Sequence, residues 1–243
     1  DLQTGAIEVA SLNAAGQPTG VGIVALSGQA ISDDGRYVVY ASNAGNIVPG
    51  VGSGTIQVYV RDLATDTTTL ASRSAAGAAA NSQSDLGAIS PNGRFVSFRS
   101  FATNLAGGPF ASRVYVHDRV TLAISSVPLP VLGAVTATGC RENDVADNGV
   151  VVLTCFFGSG LFDQVYLHVP GAAGTPFLIS SDINDVAGNQ VSGTRVAIDA
   201  SGLSMIFDSL ASNLVGNDFN GVSDSFILID EGILDGIFAD SFE

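Results

Sequence analysis

The sequence predicts an all-β protein, a β-propeller of four four-stranded antiparallel blades whose N-terminal strand closes the last blade. Three observations carry that expectation. A hairpin motif recurs four times, a second apolar strand follows each hairpin, and the N-terminus matches the end of a blade rather than its beginning.

The hairpin motif runs Ile31-Ser32-Asp33-Asp34-Gly35-Arg36-Tyr37-Val38-Val39-Tyr40 in its first copy. The second is Ile89-Ser90-Pro91-Asn92-Gly93-Arg94-Phe95-Val96-Ser97-Phe98. Looser copies span Val145–Leu153 and Ile198–Phe207. The turn glycines Gly35, Gly93, Gly149 and Gly202 stand 58, 56 and 53 residues apart. Asp-Gly, Asn-Gly and Ser-Gly between apolar runs are hairpin chemistry, because glycine tolerates the positive φ that such turns need.

The second element reads Gln57-Val58-Tyr59-Val60-Arg61-Asp62, then Arg113–Asp118, Gln164–His168 and Ser225–Asp230. β-Branched and aromatic residues dominate it, as in strands buried on both faces. A polar-edged strand such as Thr67–Ser72 completes the unit. At the N-terminus, Asp1–Gly5 through Val9–Gly16 matches Asp62–Asp66 through Leu70–Gly77 in register. The fourth unit stops after its third strand, at Asp230, so the N-terminal segment is expected to supply the missing outer strand and remove two open edges. The propeller is thus expected over residues 1–230, with 231–243 an acidic tail outside the repeat.

The pattern Ile-Ser-x-[Asp/Asn]-Gly-Arg-[Tyr/Phe]-Val followed by Val-Tyr-Val-x-Asp resembles the bacterial TolB-like propeller repeat. The likeness is strongest in the first two units and departs in the third, where Val150 replaces Arg36 and Arg94. It implies an exported Gram-negative propeller, periplasmic or secreted, and little about activity, since one fold hosts many functions. The tail Ile237-Phe238-Ala239-Asp240-Ser241-Phe242-Glu243 resembles short ends of exported Gram-negative proteins and points the same way.

Composition narrows the partners. The 243 residues carry a net charge of −14, and all nine cations are arginine. Without clustered cations a chain cannot release counterions from phosphates, which excludes nucleic acid and disfavours an anionic membrane surface. No apolar run is long enough to span a bilayer. The absence of lysine removes Schiff-base chemistry. The start, Asp1-Leu2-Gln3-Thr4, has neither Met nor a signal-like segment and reads as a processed form. Cys140 and Cys155 suit opposite or diagonal places across a hairpin; in an exported chain a disulfide is the default, two buried thiols the alternative.

No catalytic constellation stands out. There is neither a Gly-x-Ser-x-Gly elbow nor a His-Glu-x-x-His, and Gly50-Val51-Gly52-Ser53-Gly54 misplaces its serine. His117 and His168 share one repeat position, where other units carry Arg61 and Ile229, so they read as variable, partly exposed strand residues. In Asn217–Asp224, Asp218, Asn220 and Asp224 offer hard oxygens in a glycine-containing loop, the chemistry of a Ca²⁺ site, although the loop is no EF-hand. Aligning the units on their turn glycines brings Asp85, Arg141, Glu142, Asp144 and Arg195 to one channel mouth, as a ligand site or as a salt-bridged rim. The expected function is a secreted module binding a protein or carbohydrate through that mouth or the blade loops. Alternatives are a carboxylate-dependent glycoside hydrolase using Asp85, Glu142 or Asp144, and a structural subunit assembling by strand exchange. The expected state is accordingly a monomer or a strand-exchanged dimer.

Overall fold

The structure, a computed structural model, describes residues 5, 7, 9–19, 23–24, 28–106, 112–158, 160–172, 174–218 and 220–229. These residues form strands and turns with no helix. The first sheet comprises β1 (Ile23–Val24), β2 (Tyr37–Ser42), β3 (Gln57–Asp62) and β4 (Thr67–Leu70). The second comprises β5 (Ser84–Ile89), β6 (Phe95–Ser100), β7 (Arg113–Asp118) and β8 (Ile124–Ser126). A small hairpin, β9 (Val131–Leu132) with β10 (Val135–Thr136), precedes the third sheet. That sheet comprises β11 (Gly139–Val145), β12 (Val151–Phe156), β13 (Gln164–His168) and β14 (Phe177–Leu178). The fourth comprises β15 (Ser192–Ile198), β16 (Ser204–Ser209) and β17 (Asp224–Ile229). Every strand pairing is antiparallel with its chain neighbour, so hairpin chemistry alone sets the connectivity.

The sheets follow one another in chain order, and the first strand of each later sheet packs on the sheet before it. Apolar side chains from both sides fill the seams. Val39, Val58, Ile89, Val96 and Phe98 are buried together between the first and second sheets, and Val152, Val165, Val196 and Phe207 between the third and fourth. Gly87 is required by that closeness: a Cβ there would lie 2.7 Å from Val39 and 2.8 Å from Val58.

Hydrogen bonds link the hairpin turns in the same succession. The Asp33 N–H donates to the Pro91 carbonyl, the Asn92 N–H to the Asp147 carboxylate, and the Asp147 N–H to the Ala200 carbonyl. Deeper in, the Asp144 carboxylate joins three sheets. It accepts from the Ile198 N–H of the fourth at 3.1 Å, from its neighbour Val145 at 3.0 Å, and from Gln29, ahead of the first hairpin, at 3.4 Å. Gly28 allows this approach, since a Cβ there would stand 2.9 Å from Asp144 Oδ1.

The repeat extends to individual bonds. Stacked aromatic pairs recur at one level as Tyr40–Tyr59, Phe98–Tyr115 and Phe207–Phe226. Arg36 grips Asp62, and Arg94 grips Asp118, through two N–H donors each, while each aspartate also caps the following turn. The guanidinium holds both carboxyls well below the usual carboxylate range. In the first sheet, Ser72 Oγ donates to Gln57 Oε1 and accepts from the Val58 N–H, while Gln57 Nε2 donates to the Ala80 carbonyl. The third sheet repeats this latch with Ser180, Gln164, Val165 and Gly188.

Registers refine the sequence alignment at two places. The third hairpin is one residue tighter, because Leu153 rather than its successor faces Tyr166. In the fourth sheet Phe226 faces Phe207 as Tyr59 faces Tyr40, so Leu228, not Ile229, shares the position of Arg61, His117 and His168. By the alignment of the N-terminus with the first unit, a fourth strand on β17 would fall on residues 6–9, of which 6 and 8 lie outside the described residues, as does the tail 231–243. Gly5, Ile7 and Val9 are described and belong to no strand.

Cys140 and Cys155 face each other across β11 and β12 with Cα atoms 3.9 Å apart, and they form a disulfide. Replacing both by alanine is expected to lower stability by roughly 2–3 kcal/mol, from the lost constraint on the unfolded chain, as read by urea unfolding. Asp144→Asn keeps one acceptor but turns an NH₂ toward buried N–H donors. It is expected to cost about 2 kcal/mol in the same assay, and an unchanged midpoint would refute the structural role of this carboxylate.

Candidate functional site

A cleft opens where the first strands of the sheets meet. Each of three such strands carries a bulge: β5 between Asp85 and Ala88, β11 between Cys140 and Asn143, β15 between Ser192 and Val196. A bulge takes residues out of the ladder and re-aims their side chains. The freed residues include Leu86, at φ 50°, Glu142, and Thr194 with Arg195. With Gly28 and Val196 they line a cleft of about 720 Å³. The fourth sheet supplies the rest of the wall through Ala197, Ile206, Phe207, Asp208 and Ser225. The result is an apolar floor edged by a guanidinium, two carboxylates and two hydroxyls.

Two of these bulges are held by a side chain on the neighbouring strand. Asp208 accepts from the Arg195 N–H at 2.7 Å and from the Thr194 hydroxyl, which sets the shape of the β15 bulge. At the β5 bulge, Arg99 holds Asp85 through two N–H donors, each at 2.7 Å, and Gln83 donates to the same carboxylate.

Of the five residues that the sequence brings to a channel mouth, the structure places Glu142 and Arg195 in the cleft lining. Asp85, Arg141 and Asp144 are not among the lining residues. Asp85 is buried against Arg99, and Arg141 pairs with Asp163. Asp144 is buried under its three backbone donors, and loss of water pushes its pKa up. Asp208, Ile206 and Ser225 escaped the sequence reading. The only available signal was their position opposite or within a bulge, which no local motif announces.

Of the expected cation ligands, Asp218 and Asn220 lie in the loop that leads into β17, and Asp224 is the first residue of that strand. Asn220 turns its nitrogen to Asp224, donating at 2.9 Å, and its oxygen accepts from the Val222 N–H. Among the described residues no group of three or more His, Cys, Asp or Glu is placed to hold a metal ion. Asn220 and Asp224 are thus hydrogen-bonded to each other.

His117 departs from expectation. It is buried rather than partly exposed, and neither ring nitrogen has a hydrogen-bond partner among the described residues. Burial, then the charges of Arg73 and Arg119, push its pKa down to about 4. His168, one sheet on, is half-buried and shifted downward by burial. A histidine held neutral in the fold stabilises it above the ordinary value near 6.5, and that stability is lost as pH falls toward the folded value. Wild type is therefore expected to lose stability relative to His117→Phe as pH falls from about 6.5 to 4.5. Urea midpoints of both proteins across that range read the difference, and parallel curves would show that His117 is protonated freely in the fold.

No protein-family model matches the chain, and no curated protein matches it. Among solved structures, the tricorn protease superposes with a TM-score of 0.47 at 12% identity, covering 82% of this chain and 20% of the protease chain. Kuenenia stuttgartiensis hydrazine synthase gives 0.39 at 14% identity, covering 85% of this chain and 50% of the other. This chain thus spans about a fifth and about half of the lengths of those two proteins.

Proposed function

We propose that the chain is a four-bladed β-propeller with a TolB-like repeat, its fourth blade completed by an N-terminal strand. It acts outside the cytoplasm as a binding module. The recognition site is the cleft lined by Leu86, Glu142, Thr194, Arg195, Phe207 and Asp208. One observation carries this reading: three inner strands break register at the same level, and their freed residues meet in a single concavity. Concave sites with an apolar floor and a few placed polar groups are where ligands bind.

The lining suits a neutral oligosaccharide. Sugar hydroxyls both donate and accept, matching carboxylates, a guanidinium and hydroxyls, while sugar ring faces suit Leu86 and Ile206. A glycosidase reading is weaker, because two of its three candidate carboxylates, Asp85 and Asp144, are engaged by Arg99 and by backbone donors. The disulfide between Cys140 and Cys155 supports an oxidising compartment.

The test is an amide-resolved NMR titration with a panel of soluble neutral oligosaccharides. Shifts are expected to cluster on Leu86, Glu142, Thr194, Arg195 and Asp208. Glu142→Gln combined with Arg195→Ala is expected to weaken binding at least about tenfold, the loss of one or two charge-assisted hydrogen bonds. Shifts that map elsewhere, or a variant that binds equally, would overturn the assignment, and release of a smaller sugar would favour the hydrolase.

A further inference from the structure

Each unit places one residue at the same point of the cleft. The pairs Ile31–Val38, Ile89–Val96, Val145–Val151 and Ile198–Met205 correspond from unit to unit, each flanking a hairpin turn. Three residues before the first member of each pair stand Gly28, Leu86, Glu142 and Arg195, and all four line the cleft. The repeat thus brings one position from each of its copies to a common concavity. Elsewhere equivalent positions carry the same chemistry, as in the stacked aromatic pairs and the Ser–Gln latches. Here they carry a hydrogen, an isobutyl group, a carboxylate and a guanidinium, so they present different faces to whatever fills the cleft.

Their hydrogen-bonding capacity is divided rather than duplicated. An ionised carboxylate only accepts, a guanidinium only donates, and Leu86 does neither. A hydroxyl, donor and acceptor at one oxygen, makes little use of such a division. A secondary amide uses it fully, because its N–H only donates, its carbonyl oxygen only accepts, and the two point in opposite directions. With a methyl on the carbonyl carbon, every part of the group finds a partner. The Glu142 carboxylate accepts from the N–H, the Arg195 guanidinium donates to the carbonyl oxygen, and Leu86 packs on the methyl. Gly28 adds no side chain to the lining and leaves its side to the ring that bears the group, with Ile206, 46% exposed, as an apolar surface for the ring face.

We infer that the cleft recognises the acetamido group of an N-acetylated amino sugar, read by Leu86, Glu142 and Arg195 as three equivalent positions of the repeat. The group is uncharged, so it belongs to the neutral oligosaccharides that suit the lining as a whole. A site that hydrogen-bonds both ends of an amide discriminates against a sugar without one, since its buried polar groups are then left without partners. This rests on the reading of the cleft as an oligosaccharide site, and adds which sugar it selects.

The experiment titrates the unaltered chain, followed by amide-resolved NMR, with triacetylchitotriose and with cellotriose. The second sugar has the same linkage and a hydroxyl in place of each acetamido group. The acetylated trimer is expected to bind at least about tenfold more tightly, with shifts on Leu86, Glu142 and Arg195. Leu86→Ala and, separately, Glu142→Ala are expected to bring that ratio below about threefold. Equal affinity for the two trimers, with shifts in the cleft, overturns the acetamido assignment and leaves the oligosaccharide reading standing. Binding of neither trimer also overturns it, and if the wider panel of neutral oligosaccharides fails too, the sugar reading falls with it. Cleft shifts with an N-acetylated dipeptide amide but with neither trimer would hand the amide-reading residues to a peptide and overturn both. If a variant fails to fold, the ratio measured on the unaltered chain decides alone.

Discussion

The arrangement depends most on one buried carboxylate. Asp144 sits where inner segments of the first, third and fourth sheets converge and accepts a backbone N–H from each. Val145 and Ile198 are buried on the first strands of their sheets, and Asp144 accepts their N–H groups there. Desolvation of a carboxylate is unfavourable and raises its pKa, and the three donors oppose that rise. A neutral amide or an alkyl chain cannot serve three donors at once. The residue therefore does what apolar packing in the seams cannot: through Gln29 it ties the segment ahead of the first hairpin to the third and fourth sheets.

Around that centre, much of what recurs in the sequence is scaffold. Arg36 and Arg94, prominent in the repeat motif, lie over the aromatic rings that follow them and grip Asp62 and Asp118. The paired aromatics, the Ser–Gln latches and the turn glycines likewise serve strand ends and seams. The fourth sheet departs from this vocabulary, with Ile229 in place of the gripped aspartate and Asp224 in place of the latch glutamine.

The strands and hairpins were legible because their signals are local. An Asp-Gly or Asn-Gly turn and the apolar run after it lie within ten residues, and the disulfide follows from facing positions in such a hairpin. The cleft was legible only in part. Aligning the repeats brought Glu142 and Arg195 to the right level, but a bulge is a mismatch between two strands and has no signature in either. The fate of the acidic residues was hidden for a similar reason. Asp85 is claimed by Arg99, 14 residues away, and Asp144 by Ile198, 54 residues away. His117 was misjudged because the repeat counterparts aligned with it, Arg61 and Ile229, differ in polarity, which suggested an exposed site where the structure has a dry one.

The bulges have a consequence for how such a molecule diversifies. Leu86, Glu142 and Arg195 stand outside the hydrogen-bonded ladders, so exchanging their side chains breaks no ladder bond, whereas the Thr194 hydroxyl helps to hold its bulge. Three separate chain segments thus act as interchangeable sockets on one rigid frame, each replaceable without retuning the others. Copies of this scaffold that differ at these few positions would keep the same shape and stability while acquiring different tastes in ligand.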